Sequence, residues 1–346
     1  MYAKKKKSAR TGLLIVCAVV LGLILAVLVT GSYYAYSFLN QINRVEDIPA
    51  ETLSHEEVEI ILAETDPVDE EPDNDYQEVA PEEVTMPEEP AEVIVKEDHV
   101  YNILLIGQDR RPGQGRQRSD AMILCTINMD KKTLVMTSFL RDTYVKLPDY
   151  NGKKYGSNRL NVPYVVGGME MLDECMLMNF GIQIDHNIEV DFSGFEKIVD
   201  AVGGVDIELT GAEANHLGGG LKKGMNRLNG EQALAYSRIR ALDNDFGRTN
   251  RQRKVLLAII EQVRNLNLTE ILSLTETIFP MITTDMTNAD IINYVIDIFP
   301  ILLSLEITTQ SAPQTGEYKG AMINGMSVLV PDLEAINSRL REIIGS

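Results

Sequence analysis

The stretch YNILLIGQD (Tyr101–Asp109) opens on a run of Ile and Leu and stops at Gly107. A short apolar run closed by glycine reads as a buried strand ending in Gly107, Gln108 and Asp109. Outward from it, Ala121–Asn128 and Leu134–Ser138 are two more apolar runs, and Met129–Thr133 between them predicts a hairpin. Ile188–Phe192 and Val205–Leu209 predict strands on either side of a helix over Ser193–Val202, which Gly203-Gly204 closes. Further helices are expected over Met169–Phe180, Asn229–Arg240, Arg248–Asn265, Ala289–Phe299, where Pro300 ends or kinks the element, and Asp332–Ile344. Strands and helices interleave. The expected class is therefore α/β, a central mixed β-sheet with helices packed on both faces, preceded by one N-terminal transmembrane helix.

Charge divides the chain. Of a net charge of −19 over 346 residues, the segment Gln41–Asp98 supplies 21 acidic against two basic residues, an imbalance as large as that of the whole. Dense in Asp, Glu and Pro and without a sustained apolar period, it reads as a self-repelling tether holding a domain off the membrane, or as a cation-binding carboxylate cloud. Leu13–Val29 is apolar, no charge lies between Arg10 and Arg44, and with its flanks the run approaches the roughly 20 residues that cross a bilayer. Lys4, Lys5, Lys6, Lys7 and Arg10 precede it, so the positive-inside rule leaves the N-terminus in the cytoplasm and everything after the run outside. A cleaved signal peptide is the alternative, against which stand the length of the run and the lack of a small-x-small site. The expected organisation is a cytoplasmic basic tail (1–11), a transmembrane anchor (12–31), an acidic disordered linker (41–98) and an extracellular catalytic domain (99–346), a single-pass protein of the cell membrane. Cys125 and Cys175 fall in the outer domain, as a disulfide or as two buried thiols.

Four charged clusters fall at expected strand ends, loops or helix starts: Asp109-Arg110-Arg111, Arg118-Ser119-Asp120, Arg141-Asp142, and Arg238-Ile239-Arg240 with Asp245–Arg248 and Arg251–Arg253. Arginine offers a planar fork of donors to phosphate oxygens, and paired carboxylates hold Mg²⁺, which bridges a pyrophosphate. Any one cluster is also what a surface ion pair or a solvated helix face produces. The part outside anchor and linker is slightly acidic, which points to a local pocket and away from a nucleic-acid-binding face.

The order and wording of these segments resemble the LytR-CpsA-Psr family: NILLIGQDRR (Asn102–Arg111), RSDAMIL (Arg118–Leu124), SFLRDTYV (Ser138–Val145), RLNVPYVVGG (Arg159–Gly168), DFSGFEKIVDAVGGVDIEL (Asp191–Leu209), LNGEQALAYSRIR (Leu228–Arg240) and DFGRTNRQR (Asp245–Arg253). The resemblance implies a phosphotransferase that moves a glycopolymer from a polyprenyl pyrophosphate carrier to a hydroxyl of peptidoglycan, at the membrane and without nucleic acid. It implies Mg²⁺ (or Mn²⁺) on Asp109 and Asp120, phosphate contacts from Arg118, Arg141, Arg238 and Arg240, and catalytic roles for Arg248, Asp245 as candidate base, and Gln252. For the lipid it points to Val162, Tyr164, Val165, Leu172 and Met176. The Met-rich pattern of that segment also suits an ordinary core helix. Two departures stand out: VPYVVGG where small Ala-rich residues and then a tyrosine are expected, and a short loop over Ala241–Asn244.

Scattered histidines lack metal-ligand spacing, and neither a Gly-x-Ser-x-Gly elbow nor a P-loop is present, which argues against zinc chemistry, hydrolase triads and nucleotide-driven transfer. The competing readings are a non-catalytic receptor for lipid-linked glycans and a carrier pyrophosphatase.

Overall fold

In this computed structural model the described residues are 37, 39–45, 53–63, 76–87, 89–108, 110, 115–242 and 245–345. The expected anchor lies outside them, and among the described residues no helix is long and apolar enough to cross a membrane. In chain order the elements are β1 (Asn43–Arg44), α1 (His55–Ala63), β2 (Gln77–Glu78), β3 (Val100–Gln108), β4 (Ser119–Asn128), β5 (Thr133–Phe139), β6 (Tyr144–Lys146), β7 (Ser157–Arg159), α2 (Val162–Phe180) and β8 (His186–Asp191). Then come α3 (Phe192–Ala201), β9 (Val205–Leu209), α4 (Gly211–Leu217), β10 (Gly224–Leu228), α5 (Gly230–Ser237), α6 (Asp245–Arg264) and α7 (Leu268–Ile278). The chain continues through β11 (Ile282–Thr284), α8 (Asn288–Ile298), β12 (Glu306–Ala312), β13 (Tyr318–Ile323), β14 (Met326–Pro331) and α9 (Leu333–Ile344).

β3 lies at the centre of a mixed seven-stranded sheet of order β1-β11-β8-β3-β4-β5-β12. It runs antiparallel to β4, with Leu104 opposite Leu124, and parallel to β8, with Ile106 beside Glu189. Alternation of side chains across the pleat sends Leu104 and Ile106 to one face, where Met122, Leu124 and Phe139 join them under α2 and α9. Ile103 goes to the other, with Ile123, Cys125, Leu134 and Met136 under α6 and α8. Because both faces are covered, the strand needs no polar alternation. Its continuous apolar run follows.

Helices thus cover both faces, as expected. A third cluster, with Val199, Val205, Leu228, Tyr236 and Val255, joins α3, α5 and α6 to the β9–β10 hairpin. Gly204 takes φ +86° in the turn after α3, where an added Cβ would stand 2.7 Å from the Leu228 carbonyl, so this turn requires glycine. Cys125 and Cys175 are buried free thiols on opposite faces of the sheet, and burial pushes the Cys125 thiol up to about 12.

The acidic stretch departs from its reading as a structureless tether. β1, near its beginning, is already a strand of the main sheet, paired in parallel with β11. Ser54 then caps α1: its hydroxyl accepts from Glu57 N at 3.2 Å while Glu57 Oε2 accepts from Ser54 N at 2.7 Å. Val58 of α1 is buried against the core under α2. The chain between β1 and β3 is an excursion from the sheet and back, so it does not set how far the domain stands from anything that precedes β1.

At the amino end of β8, Asn187 donates to Asp173 Oδ2 and Asp285 Oδ2, both at 2.8 Å, which ties α2 to the β11–α8 connection. Burial raises the Asp173 carboxyl to about 7, Asn187 pulling it back and Asp285 adding to the rise. Between about pH 4 and the raised value the unfolded chain has lost a proton that the folded chain keeps, so stability falls as pH rises through that window and levels off above it. Thermal unfolding across a pH series checks this, and Asp173→Asn removes the slope. Phe180 is fully buried with its ring 5.0 Å from that of Phe139, and Phe180→Ala is expected to cost about 3–5 kcal/mol in denaturant unfolding.

Candidate functional site

The sheet gathers its polar residues at the carboxyl ends of β3, β5 and β8. A β-bulge between Gly107 and Gln108 makes the register step from Gly107↔Ala121 to Gln108↔Ser119, and Asp120 is the residue left over on β4. Bulges redirect side chains at sheet ends, and here the carboxylate meets the turn that follows β5. Arg141 in that turn reaches Asp120 Oδ1 through Nη1 and Asp142 Oδ2 through Nε, each at 3.2 Å. Arg159 of β7 stands with Nη1 3.5 Å from Asp142 Oδ1. Two arginines and two aspartates, from three separated segments, make one charged chain along the end of the sheet.

The turn itself is pinned by backbone. Leu140 N donates to Ala312 O at 2.9 Å, Thr143 Oγ1 to Leu140 O at 2.7 Å and Leu329 N to Asp142 O at 2.9 Å. Arg141 therefore has little freedom, its side chain 11% exposed.

Beside this chain a buried carboxylate organises the loop after β3. Glu189 of β8 accepts from Gln108 Nε2 and from the Tyr164 hydroxyl, and Arg110 lies 3.5 Å from it. Burial and the adjoining Glu189 carboxylate both push the Tyr164 hydroxyl well above its ordinary value, so it stays a donor. Arg116 packs over the Tyr164 ring at 5.9 Å and donates to the Tyr164 carbonyl at 3.4 Å. Gly168, at φ +69° in a kink of α2, leaves the space for that guanidinium: an added Cβ would stand 3.0 Å from Arg116 Nη1.

α6 brings the remaining candidates. It packs against β5 and β12, and Arg264 at its far end donates to Leu305 O just before β12 begins. Its apolar middle, with Leu256, Leu257 and Ile260, covers Leu134 and Met136. The first turns, with Arg248 and Gln252 one turn apart, consequently lie nearer the carboxyl ends of β5 and β12. Arg248 is 3% exposed. Arg251 is held from the other side, donating to Glu213 Oε1 and to Ile239 O, both at 2.9 Å. Ile239 is buried while Arg238 and Arg240 on either side of it are exposed, and Arg238 stacks over Phe192 at 4.5 Å. Burial alone would raise the Glu213 carboxyl, but Thr210 N–H, Arg251 and the Thr210 hydroxyl hold it below the usual carboxylate range.

The structure thus brings Asp120 and Arg141 into contact and places Arg248 and Gln252 in the first turns of α6, at the end of that helix opposite Arg264. Arg118 is directed elsewhere in part: its Nη2 donates to Ile61 O at 2.6 Å, at the end of α1. Asp109 and the side chain of Asp245 lie outside the described residues, although Asp245 is the first residue of α6. Val162, Tyr164, Val165, Leu172 and Met176 are all buried in the layer between sheet and α2. Arg116, Arg159 and Glu189 were not singled out in the sequence. Their signals were a charge within a glycine-rich loop, the first residue of RLNVPYVVGG, and an acid in an expected central strand.

Buried atoms at this end without a hydrogen-bond partner among the described residues include Ser119 Oγ, Ser138 Oγ, Gln252 Oε1 and Arg253 Nε and Nη1. Burial pulls the Arg253 guanidinium below its ordinary value. Unmet donors and acceptors of this kind are what a polar ligand satisfies.

The sequence matches the LytR_cpsA_psr family over residues 64–343. The chain belongs to the LytR-CpsA-Psr family. It is 35% identical over 174 residues to the regulatory protein MsrR of Staphylococcus aureus, covering 49% of this chain and 51% of that one. To the polyisoprenyl-teichoic acid–peptidoglycan teichoic acid transferase TagU of Bacillus licheniformis it is 37% identical over 169 residues, covering 48% and 53%. The chain therefore spans about half the length of the curated relatives it matches. The fold is similar to that of TagT bound to LIIa-WTA, with a TM-score of 0.60 and 26% identity over 75% of this chain and 97% of that one. The crystal structure of B. subtilis TagT gives 0.58 and 26% over 76% and 99%.

Glu213→Ala leaves Arg251 buried without its carboxylate, and a loss of about 3–5 kcal/mol is expected in denaturant unfolding. Glu213→Gln, which keeps an acceptor for Thr210, costs less.

Proposed function

We propose that the chain transfers a phosphoglycopolymer from a polyprenyl pyrophosphate carrier to a hydroxyl of peptidoglycan. What carries this reading is the Arg141 guanidinium, fixed between Asp120 and Asp142 at the carboxyl end of the sheet, with Arg248 buried in the first turns of α6. The named activity of TagU and the bound LIIa-WTA of TagT support it.

The acceptor hydroxyl attacks the phosphorus nearer the glycopolymer. A new P–O bond forms, the bond to the carrier's terminal phosphate breaks, and polyprenyl phosphate leaves. The hydroxyl proton passes to a base, for which Asp245 at the start of α6 is the candidate. Charge spreads over phosphoryl oxygens as the bonds exchange, so the protein's task is alignment and neutralisation. Arg141 and Arg248 are prearranged for it, with Arg238 and Arg240 displayed to the incoming phosphates and Gln252 Oε1 open to a donor. Asp120, a hard oxygen ligand redirected by the bulge, suits Mg²⁺ or Mn²⁺, with Asp109 as its partner. Such an ion would add further neutralisation of the pyrophosphate when bound. The lipid would enter the apolar layer beneath α2, whose methionines can repack.

The same reading places the chain in the cell membrane, with Leu13–Val29 as its single span, the basic tail in the cytoplasm and the folded part outside.

The test is the full chain incubated with a short-chain polyprenyl-pyrophosphoryl sugar, Mg²⁺ and oligomeric peptidoglycan, with mass spectrometry for a phosphodiester adduct. Arg248→Ala is expected to slow adduct formation about 10²–10³-fold. Asp120→Ala is expected to abolish the response to added Mg²⁺ with the fold intact by circular dichroism. Carrier binding without adduct, or released phosphate without adduct, would replace transfer with the receptor or the pyrophosphatase.

A further inference from the structure

The chain enters the folded domain beside an apolar surface. Leu39 and Ile42 are buried, Asn288 Nδ2 donates to Asn40 Oδ1 at 3.3 Å, and Arg44 donates to Met286 O at 2.6 Å and to the Asn288 side chain. Asn288 begins α8, so the entry point is the head of that helix.

α8 has two sides. Ile291, Tyr294 and Ile298 pack beneath the sheet, the Tyr294 ring standing edge-on to Tyr101 at 4.9 Å. Ile292, Val295 and Ile296 face outward at 44%, 57% and 63% exposure, and Leu303 in the turn that follows α8 is 75% exposed. The spacing puts them on one stripe. Asp290 and Asp297 are the two charged residues between Asn288 and Ser304. Asp290 accepts from Thr287 N and Oγ1, and Asp297 from the Tyr101 hydroxyl at 3.0 Å. A surface with this little charge and this much exposed Ile and Val is built to meet an apolar phase.

The sequence indicates which one. Leu39, which is buried, lies ten steps along the chain from Val29, the end of the apolar run. Fully extended, ten steps reach at most about 35 Å. Tyr33, Tyr34 and Tyr36 fall in that interval, residues that favour the membrane interface.

We infer that the exposed stripe of α8 and the turn after it is a membrane-contact face, seated among the headgroups and upper acyl chains of the bilayer that the Leu13–Val29 segment crosses. The inference rests on the single-span reading above. It puts the start of β3 nearest that contact: Tyr101 stands beside α8, and Gln108 at the candidate site is seven steps or about 23 Å along the strand. Attachment by apolar side chains alone makes the contact insensitive to salt.

The full chain, with Cys17→Ser to leave Cys125 and Cys175 buried as the remaining thiols, is reconstituted in vesicles of phosphatidylcholine and phosphatidylglycerol. A bimane label is placed at Ile296→Cys, Leu303→Cys or, as an exposed control on β10, Met225→Cys. Quenching by spin-labelled lipid is expected to be several-fold stronger at 296 and 303 than at 225, and unchanged by added salt. Equal quenching at all three positions in chains that float with the vesicles overturns the face while leaving the span in place. Chains that do not float overturn both. Shielding at 296 and 303 that scales with protein density and not with labelled lipid assigns the stripe to a second copy and overturns the membrane contact.

Discussion

A strand that buries both of its faces can carry nothing charged along its length. β3 is such a strand, with one apolar cluster on each side, and an unpaired ion between Val100 and Gly107 would cost far more than any one contact returns. Charge is consequently expelled to the ends of the strand, and the arginine-rich group gathers at the carboxyl one. There the bulge at Gln108, the turn at Arg141 and the end of β8 at Glu189 and Asp191 stand side by side. The concentration of arginines and acids at one end of the sheet is the other half of the same constraint.

What the end of the sheet holds is a set of latches between distant segments. Asp120, Arg141, Asp142 and Arg159 are joined across β4, the β5 turn and β7. Gln108, Tyr164 and Glu189 join β3, α2 and β8, and Arg251 joins α6 to α4 and to the end of α5. Each is buried enough that both partners are needed. Such pairs add little net stability, but they hold guanidinium groups in place before a ligand arrives, which is what a phosphoryl-transfer site asks of its protein.

The central strands could be read directly, because β3, β4 and β5 are apolar runs broken by Gly107 and by the Asn128–Lys132 turn. The start of α2 could not. VPYVVGG is β-branched and rich in glycine, so the expected helix began at Met169, whereas the structure begins it at Val162 with Pro163 in the first turn, where proline is tolerated. β1 and α1 were hidden by the acidity around them. Their signals were local: the Ser54 to Glu57 capping box and the apolar spacing of Val58, Ile61 and Leu62. Of the site, the residue types were visible as clusters. Their grouping was not, since no spacing along the chain tells that Arg141 turns to Asp120 or that Arg118 turns to the end of α1.

Because β1 and β3 belong to one sheet, the residues between them form a loop whose two ends are pinned. Closing a flexible loop costs entropy that grows only with the logarithm of its length, about 0.6 kcal/mol for each doubling. Between its fixed points the acidic stretch can therefore gain or lose residues at little thermodynamic cost, provided α1, the β2 pairing with β13 and the buried Ile94 keep their seats. Variation in length is thus confined to the spans between those seats, and each seat is a constraint that acidity alone does not reveal.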